Sequence, residues 1–150
     1  MKMRKKVYLC GGFRSDWQRK VIQALVDFPV EWFNPADQKL GEDYLPLELY
    51  SPLDEIKLRE CDIVFAYLEA SNPVIINIAL ELGFAKGLGK NTVLVNEWTE
   101  ANIQKDMLET LKPNGNWFKP RYLEMLIDWC DFVVTDLYIG LEILKKLCKE

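Results

Sequence analysis

The segment Ile63–Leu68, with the sequence IVFAYL, contains no charged residue and constrains the fold more than any other part of the chain. A strand that is apolar along its whole length is buried on both faces, as in a parallel sheet covered by helices. Four other runs are typical of strands: Val7–Cys10, Val30–Phe33, Thr92–Val95 and Phe132–Thr135. Segments of helical periodicity separate these strands along the chain. This alternation predicts an α/β fold, a flavodoxin-like (Rossmann-like) doubly wound parallel sheet of about five strands.

The chain has 150 residues, and no repeat, linker or low-complexity segment divides it. We therefore expect residues 1–150 to form a single domain. The basic start is followed by an apolar run too short for a signal peptide, and no segment approaches the ~20 apolar residues of a membrane helix. The four cysteines stand in no metal-ligand spacing, so we interpret them as reduced thiols of a cytoplasmic protein.

The chain contains no histidine. Ser-His-Asp and Cys-His catalysis and His-ligated metal sites are therefore excluded. Any acid, base or nucleophile must be a carboxylate, a phenol, a thiol or an amine. A net charge of −4 argues against a nucleic-acid partner, because nucleic-acid-binding domains present basic surfaces.

Ligands of such sheets bind beyond the carboxyl ends of the strands, near the switch point between the first and third strands. This rule places three segments around one crevice: residues 11–16, 34–38 and 69–77. The stretch from Ala36 to Tyr50 has no clear period and is long for a connection, which is typical of functional loops. Ser51 and Pro52 then predict the start of a helix.

A glycine pair, Gly11 and Gly12, ends the first strand. It permits close approach of the backbone to a ligand, although an ordinary tight turn would explain it equally well. Phe13 and Trp17 beside the pair favour a ligand with an aromatic ring. The pair belongs to neither a GxGxxG nor a P-loop motif.

The helix predicted from Pro73 to Ala85 is nearly all apolar, which predicts burial on every side. Asn77 and Glu81 interrupt it four residues apart and project from one stripe. A buried carboxylate is costly unless it is hydrogen-bonded or functional, whereas the alternative is a stripe that faces solvent. A tyrosine hydroxyl in an apolar strand, such as that of Tyr8, needs a partner, and Glu81 is one possibility.

Three segments, YLCGGF at 8–13, CDIVFAYL at 61–68 and ELGFA at 81–85, resemble those of the nucleoside 2-deoxyribosyltransferases. The resemblance covers most of residues 6–96 in the same order and spacing. It implies a flavodoxin-like subunit without cofactor or metal, in a homo-oligomer that is a hexamer (a trimer of dimers) or a dimer. The implied partners are 2′-deoxynucleosides and free nucleobases.

The resemblance also implies residue roles. Glu81 would attack the anomeric carbon and hold the sugar as a covalent deoxyribosyl ester, in a retaining double displacement. Tyr8 would orient this nucleophile, and Asp62 would exchange a proton with the base. Phe13 would lie beside the base, with Gly11 and Gly12 next to it, and a neighbouring subunit would contribute Asp131.

The sequence departs from the family pattern where the sugar binds. Six residues before the glutamate the family often has Asp, Ser or Gly, and here the residue is Ile75. Four residues before it the usual glycine is replaced by Asn77. We therefore hypothesise that Asn72 or Asn77 binds the 5′-hydroxyl.

Two other functions remain open. A related class of enzymes hydrolyses deoxynucleoside 5′-monophosphates, and Arg14 with Ser15 at a helix N-terminus would then bind the phosphate. A non-catalytic nucleotide- or flavin-binding module is compatible with the same fold. A transferase of this kind also permits hydrolysis as a side activity. The aromatic residues between 98 and 129, among them Trp117, Tyr122 and Trp129, fit either an interface or the core.

Overall fold

A five-stranded parallel sheet forms the centre of the computed structural model, which describes residues 3–71, 75–99 and 124–150. Its strands lie in the order β2-β1-β3-β4-β5, and every neighbouring pair is parallel. This order is the predicted flavodoxin-like one, with its switch point between β1 and β3. The strands are β1 (Lys5–Gly11), β2 (Val30–Phe33), β3 (Ile63–Leu68), β4 (Asn91–Asn96) and β5 (Phe132–Val134).

Helices cover both faces of the sheet. Because side chains alternate along a strand, Val7 and Leu9 of β1 pack on one face and Tyr8 and Cys10 on the other. Helices α1 and α5 cover the first face, and α2, α3 and α4 cover the second. The helices are α1 (Trp17–Ala24), α2 (Leu47–Glu60), α3 (Ile75–Gly87), α4 (Glu124–Trp129) and α5 (Leu137–Lys149).

Helix α2 begins one turn earlier than the sequence predicted. The amides of Leu49 and Tyr50 both donate to the carbonyl of Pro46, at 2.9 and 3.0 Å, and these bonds start the helix before Ser51. Pro52 therefore lies inside the helix and not at its first position. A short antiparallel hairpin, Lys39–Leu40 with Asp43–Tyr44, precedes the helix.

The prediction that α3 is buried on every side was wrong. Ile78, Leu82 and Ala85 are buried against the sheet, but Ile76 and Leu80 are 74% and 71% exposed. Among the described residues, the helix packs on the sheet with one face, and its other face carries the exposed apolar side chains Ile76 and Leu80.

Some sequence predictions lie outside the described residues. They concern Asn72, the helix predicted at 103–111, Trp117 and Tyr122. In the part of the chain that is described, no helix is long and apolar enough to cross a membrane.

Candidate active site

A cavity of about 550 Å³ lies at the carboxyl end of β1, between the sheet and the helices α2 and α3. Its volume is in the range of small-molecule sites. The stretch from Ala36 to Tyr50, which the sequence analysis found typical of functional loops, lines this cavity through Gln38, Tyr44 and Leu45. The turn after β1, helix α2 and helix α3 supply the other walls.

Glu81 extends from α3 into this cavity and is half-buried. Burial raises the pKa of its carboxyl group to about 7, and the nearby charge of Asp54 adds to the rise. The nearby Cys10 thiol and Tyr8 hydroxyl lower the pKa, but less than burial raises it. The carboxylate therefore does not belong to a solvent-facing stripe.

Asp54 on α2 is a second carboxylate of the cavity, and the sequence analysis missed it. Its Oδ1 is buried and has no hydrogen-bond partner among the described residues. Burial raises its pKa to about 6, and Tyr8 lowers it by a smaller amount. One sequence signal was available: Asp54 precedes the buried Leu58 by four residues, so both lie on one face of the helix.

Tyr8 lies between these two carboxylates. Its side chain is fully buried, and its hydroxyl makes no hydrogen bond of normal geometry to a described residue. Burial, followed by the charge of Glu81, raises its pKa well above the usual value. Cys10, two residues further along the same strand face, has its pKa raised by the same two causes. The structure therefore brings together Tyr8, Cys10, Asp54 and Glu81.

Asp62 lies at the opposite edge of the sheet, which contradicts its predicted role. It precedes β3 and is exposed, and its Oδ2 accepts a hydrogen bond from the Lys6 amide at 2.8 Å. The six residues of β3 span about 20 Å, and the cavity lies at the far end of this sheet. Asp62 thus holds β1 and β3 together at their amino ends.

Asp131 also lies at the amino edge, just before β5. One carboxylate oxygen is bound by the ammonium group of Lys86, and the other accepts from the amide and hydroxyl of Thr92 at 2.9 and 3.1 Å. Its contacts join α3, β4 and β5 of its own chain. Its predicted role in a neighbouring subunit's site concerns contacts between chains and stays a prediction.

The other predicted binding residues are divided. Gly11, Phe13 and the exposed Asn77 line the cavity, whereas Gly12 is buried beside it. Phe13 packs against Tyr44 of the hairpin, with 5.3 Å between the ring centroids. Tyr44 is thus an aromatic residue of the site that the sequence did not single out.

Arg14 and Ser15, the residues considered for binding a phosphate, are not among the described lining residues of the cavity. Arg14 is exposed, and the Ser15 hydroxyl donates to the carboxylate of Glu69 at 2.8 Å. The Ser15 hydroxyl is therefore already paired with a carboxylate, whose negative charge would disfavour a phosphate beside it. Within the described part of the chain, no group of three or more potential ligands could hold a metal ion.

Sequence comparison identifies the family. The profile described as "Nucleoside 2-deoxyribosyltransferase like" matches residues 4–98, more than half of the chain. The chain belongs to this family. The matched segment of this nucleoside 2-deoxyribosyltransferase-like protein contains Tyr8 and the two carboxylates beside it, Asp54 and Glu81. A search of curated proteins found no match.

Solved structures confirm the fold. A conserved protein from Enterococcus faecalis V583 superposes with a TM-score of 0.66 at 17% identity, covering 95% of this chain and 98% of that one. A 2-desoxiribosyltransferase from Leishmania mexicana superposes with a TM-score of 0.62 at 21% identity, covering 93% and 95%. The solution structure of BlsM gives 0.57 at 18% identity, covering 93% and 86%.

Proposed function

We propose that the protein is a nucleoside 2-deoxyribosyltransferase that exchanges purine or pyrimidine bases on 2′-deoxyribonucleosides. The observation that supports this most directly is the position of Glu81, whose carboxylate projects from an apolar helix into a substrate-sized cavity beside Tyr8 and Asp54. A carboxylate with its own neighbouring acid is the pair that a retaining double displacement requires. Both groups work without histidine, metal or cofactor.

In the first half-reaction, a carboxylate oxygen of Glu81 attacks C1′ of the sugar. The C1′–O bond forms as the C1′–N bond breaks, and the bonding pair leaves with the base. Protonated Asp54 gives its proton to the departing nitrogen. A second base then attacks C1′ from the vacated face, transfers its proton to Asp54, and releases Glu81 with overall retention of configuration.

The charge of the cavity favours an uncharged substrate. Its lining includes the carboxylates of Asp54, Glu55 and Glu81, and the described lining residues include no lysine or arginine. A 5′-phosphate would be repelled there, because like charges at short range in a partly buried site disfavour binding. The cavity therefore supports a nucleoside substrate over a nucleoside 5′-monophosphate.

Base exchange tests the proposal. Thymidine incubated with adenine should yield deoxyadenosine and free thymine, separated by chromatography. A 5′-monophosphate hydrolase would leave both compounds untouched, and would instead release the base from a deoxynucleoside monophosphate. Formation of deoxyribose without deoxyadenosine would indicate a nucleoside hydrolase.

Glu81→Gln separates the proposed nucleophile from a structural residue. We expect the variant to stay folded and to lose base exchange, because an amide cannot form the sugar ester. Glu55→Gln is a matched control, since Glu55 also lines the cavity but is paired with Arg59 at 3.0 Å. Full exchange activity in Glu81→Gln would refute the proposal.

We also propose that the protein is a homo-oligomer. Several residues of the cavity wall are apolar and exposed in the single chain, including Leu47 and Leu80. A second copy packed there would cover this surface and close the open side of the cavity. The resemblance to the family favours the same assembly.

A further inference from the structure

Two buried side chains of α1 hold the turn that follows β1. The indole Nε1 of Trp17 and the side-chain amide Nε2 of Gln18 both donate to the carbonyl of Gly12, at 3.0 and 2.9 Å. Trp17 is 2% exposed and Gln18 is 4% exposed. Two buried donors on one acceptor fix the orientation of the peptide group that joins Gly12 to Phe13.

The direction of this peptide follows from the packing of Gly11. A Cβ atom at Gly11 would lie 2.8 Å from the Trp17 ring and 2.8 Å from the Tyr67 carbonyl, so Trp17 packs directly against this glycine. Trp17 belongs to the face of the sheet that α1 and α5 cover. The cavity lies towards the other face, with Gly11 and Phe13 in its wall. The Gly12 carbonyl therefore points away from the cavity.

The next amide must point the opposite way. A trans peptide directs its C=O and N–H groups in opposite directions, and the described residues contain no cis peptide bond. The N–H of Phe13 is therefore directed towards the cavity. It lies where the Phe13 and Tyr44 rings offer contact to a planar ligand.

We propose that the Phe13 N–H donates a hydrogen bond to an acceptor atom on the edge of the nucleobase, and that Trp17 and Gln18 are positioning residues for this donor. A ring nitrogen or a carbonyl oxygen of the base would accept the bond. The inference rests on the proposed function, because it takes the ligand to be a nucleobase. Trp17 and Gln18 would thus contribute to base binding although they take no part in the displacement at C1′.

Two substitutions test the positioning role. Gln18→Leu removes one donor and keeps a side chain of similar size, and Trp17→Phe removes the other donor and keeps a smaller aromatic ring. We expect each to raise KM for the accepting base by about 3- to 10-fold, with kcat changed less than about twofold, because the loosened amide weakens base binding and leaves Glu81 in place. Trp32→Phe and the exposed Gln23→Leu are matched controls and should leave both constants unchanged. An unchanged KM in both test variants, or a loss confined to kcat, would overturn the assignment.

A direct measurement does not depend on turnover or on the stability of a variant. The chain has seven phenylalanines, so protein labelled with ¹⁵N-phenylalanine gives few backbone amide signals, and Phe13→Leu identifies the one from residue 13. We expect titration of the wild-type protein with adenine or thymidine to shift this signal more than the other phenylalanine signals.

The two proposals fail in different ways. A shift of the Phe13 signal without base exchange would leave this inference standing and remove the transferase. Base exchange with an unshifted Phe13 signal would remove this inference and leave the transferase. Absence of both would remove both.

Discussion

At the scale of single residues, the two carboxylates of the cavity with raised pKa values, Glu81 and Asp54, influence each other's titration. The pKa is raised to about 7 for Glu81 and to about 6 for Asp54, in each case mainly by burial. Near pH 6.5 the pair therefore holds about one proton, and its two pKa values belong to the pair as a whole. The proposed reaction uses the form with Glu81 ionised and Asp54 protonated, which the higher pKa of Glu81 makes the less populated of the two singly protonated forms.

The pH profile of base exchange should reveal this pair. We expect kcat/KM to be bell-shaped with a maximum near pH 6.5, because activity requires Glu81 ionised and Asp54 protonated. Asp54→Asn should lower kcat/KM by roughly 10²- to 10⁴-fold by removing the proton donor. It should also remove the alkaline limb, because in the wild type that limb reports loss of the proton from the donor. Rates between about pH 5 and 8 check this, and an alkaline limb that persists in Asp54→Asn would contradict the role of Asp54 as proton donor.

Glu81 should also make stability depend on pH. Its folded pKa is raised, so its carboxyl group is neutral in both states at pH 4 and costs nothing there. As pH rises from about 4.5 through 7, the unfolded state ionises first and stability is lost. Glu81→Gln should therefore add about 2–3 kcal/mol to the unfolding free energy at pH 8 and almost nothing at pH 4. Urea unfolding at both pH values measures this, and an equal gain at both would exclude the ionisation as its cause.

At the scale of elements, the turn between β1 and α1 depends on a glycine without a side chain. Gly11→Ala would place its Cβ against the Trp17 ring and a backbone oxygen that cannot move aside easily. We expect a loss of about 1–3 kcal/mol in unfolding free energy, measured by urea denaturation. Gly83→Ala is the control: its Cβ would meet no atom within 4 Å inside α3, so stability should rise by about 0.5–1 kcal/mol. Equal effects in the two variants would contradict this account.

Most elements of the fold could be predicted because their signals are local. The unbroken apolar run of β3 and the alternation of strands with helices fixed both the class and the strand order. The start of α2 could not be predicted in this way. Ser51 and Pro52 form a good helix start, but the bonds to the Pro46 carbonyl add a turn before them. The local preference for a helix start at Ser51 is thus overridden by an additional turn, which packs beside the cavity.

The candidate site was predicted less completely, because it is assembled from distant segments. Tyr8, Phe13 and Glu81 were found from burial and motif, whereas Asp54 was missed on a helix with mixed polarity. The role given to Asp62 was wrong for a reason that strand direction makes clear. A residue that precedes a parallel strand lies at its amino end, and such sheets bind ligands at the carboxyl end.

At the scale of the whole molecule, one face of α3 is left uncovered by the residues that the structure describes. Ile76 and Leu80 are adjacent on this face and mostly exposed. If copies of the chain meet there, as proposed, the protein will have a mass well above the 17.5 kDa of one chain. Ile76→Glu combined with Leu80→Glu should convert it to a monomer, since charges in a buried apolar contact are costly.

Light scattering coupled to size-exclusion chromatography measures this mass. Ile139→Glu is the control, because Ile139 is an exposed apolar residue on the opposite face of the sheet. A wild-type protein that elutes with the mass of one chain would contradict the proposed assembly.

The two edges of the sheet have different roles, since the amino edge stabilises the fold and the carboxyl edge carries the candidate site. Asp62 and Asp131 tie strands and helix together at one edge, and the chemistry is gathered at the other. Loops at the carboxyl edge can therefore be changed without disturbing the hydrogen bonds of Asp62 and Asp131 at the amino edge. A protein engineer could use this separation to substitute residues of the hairpin around Tyr44, so that the site accepts an unnatural base while the amino edge is left unchanged.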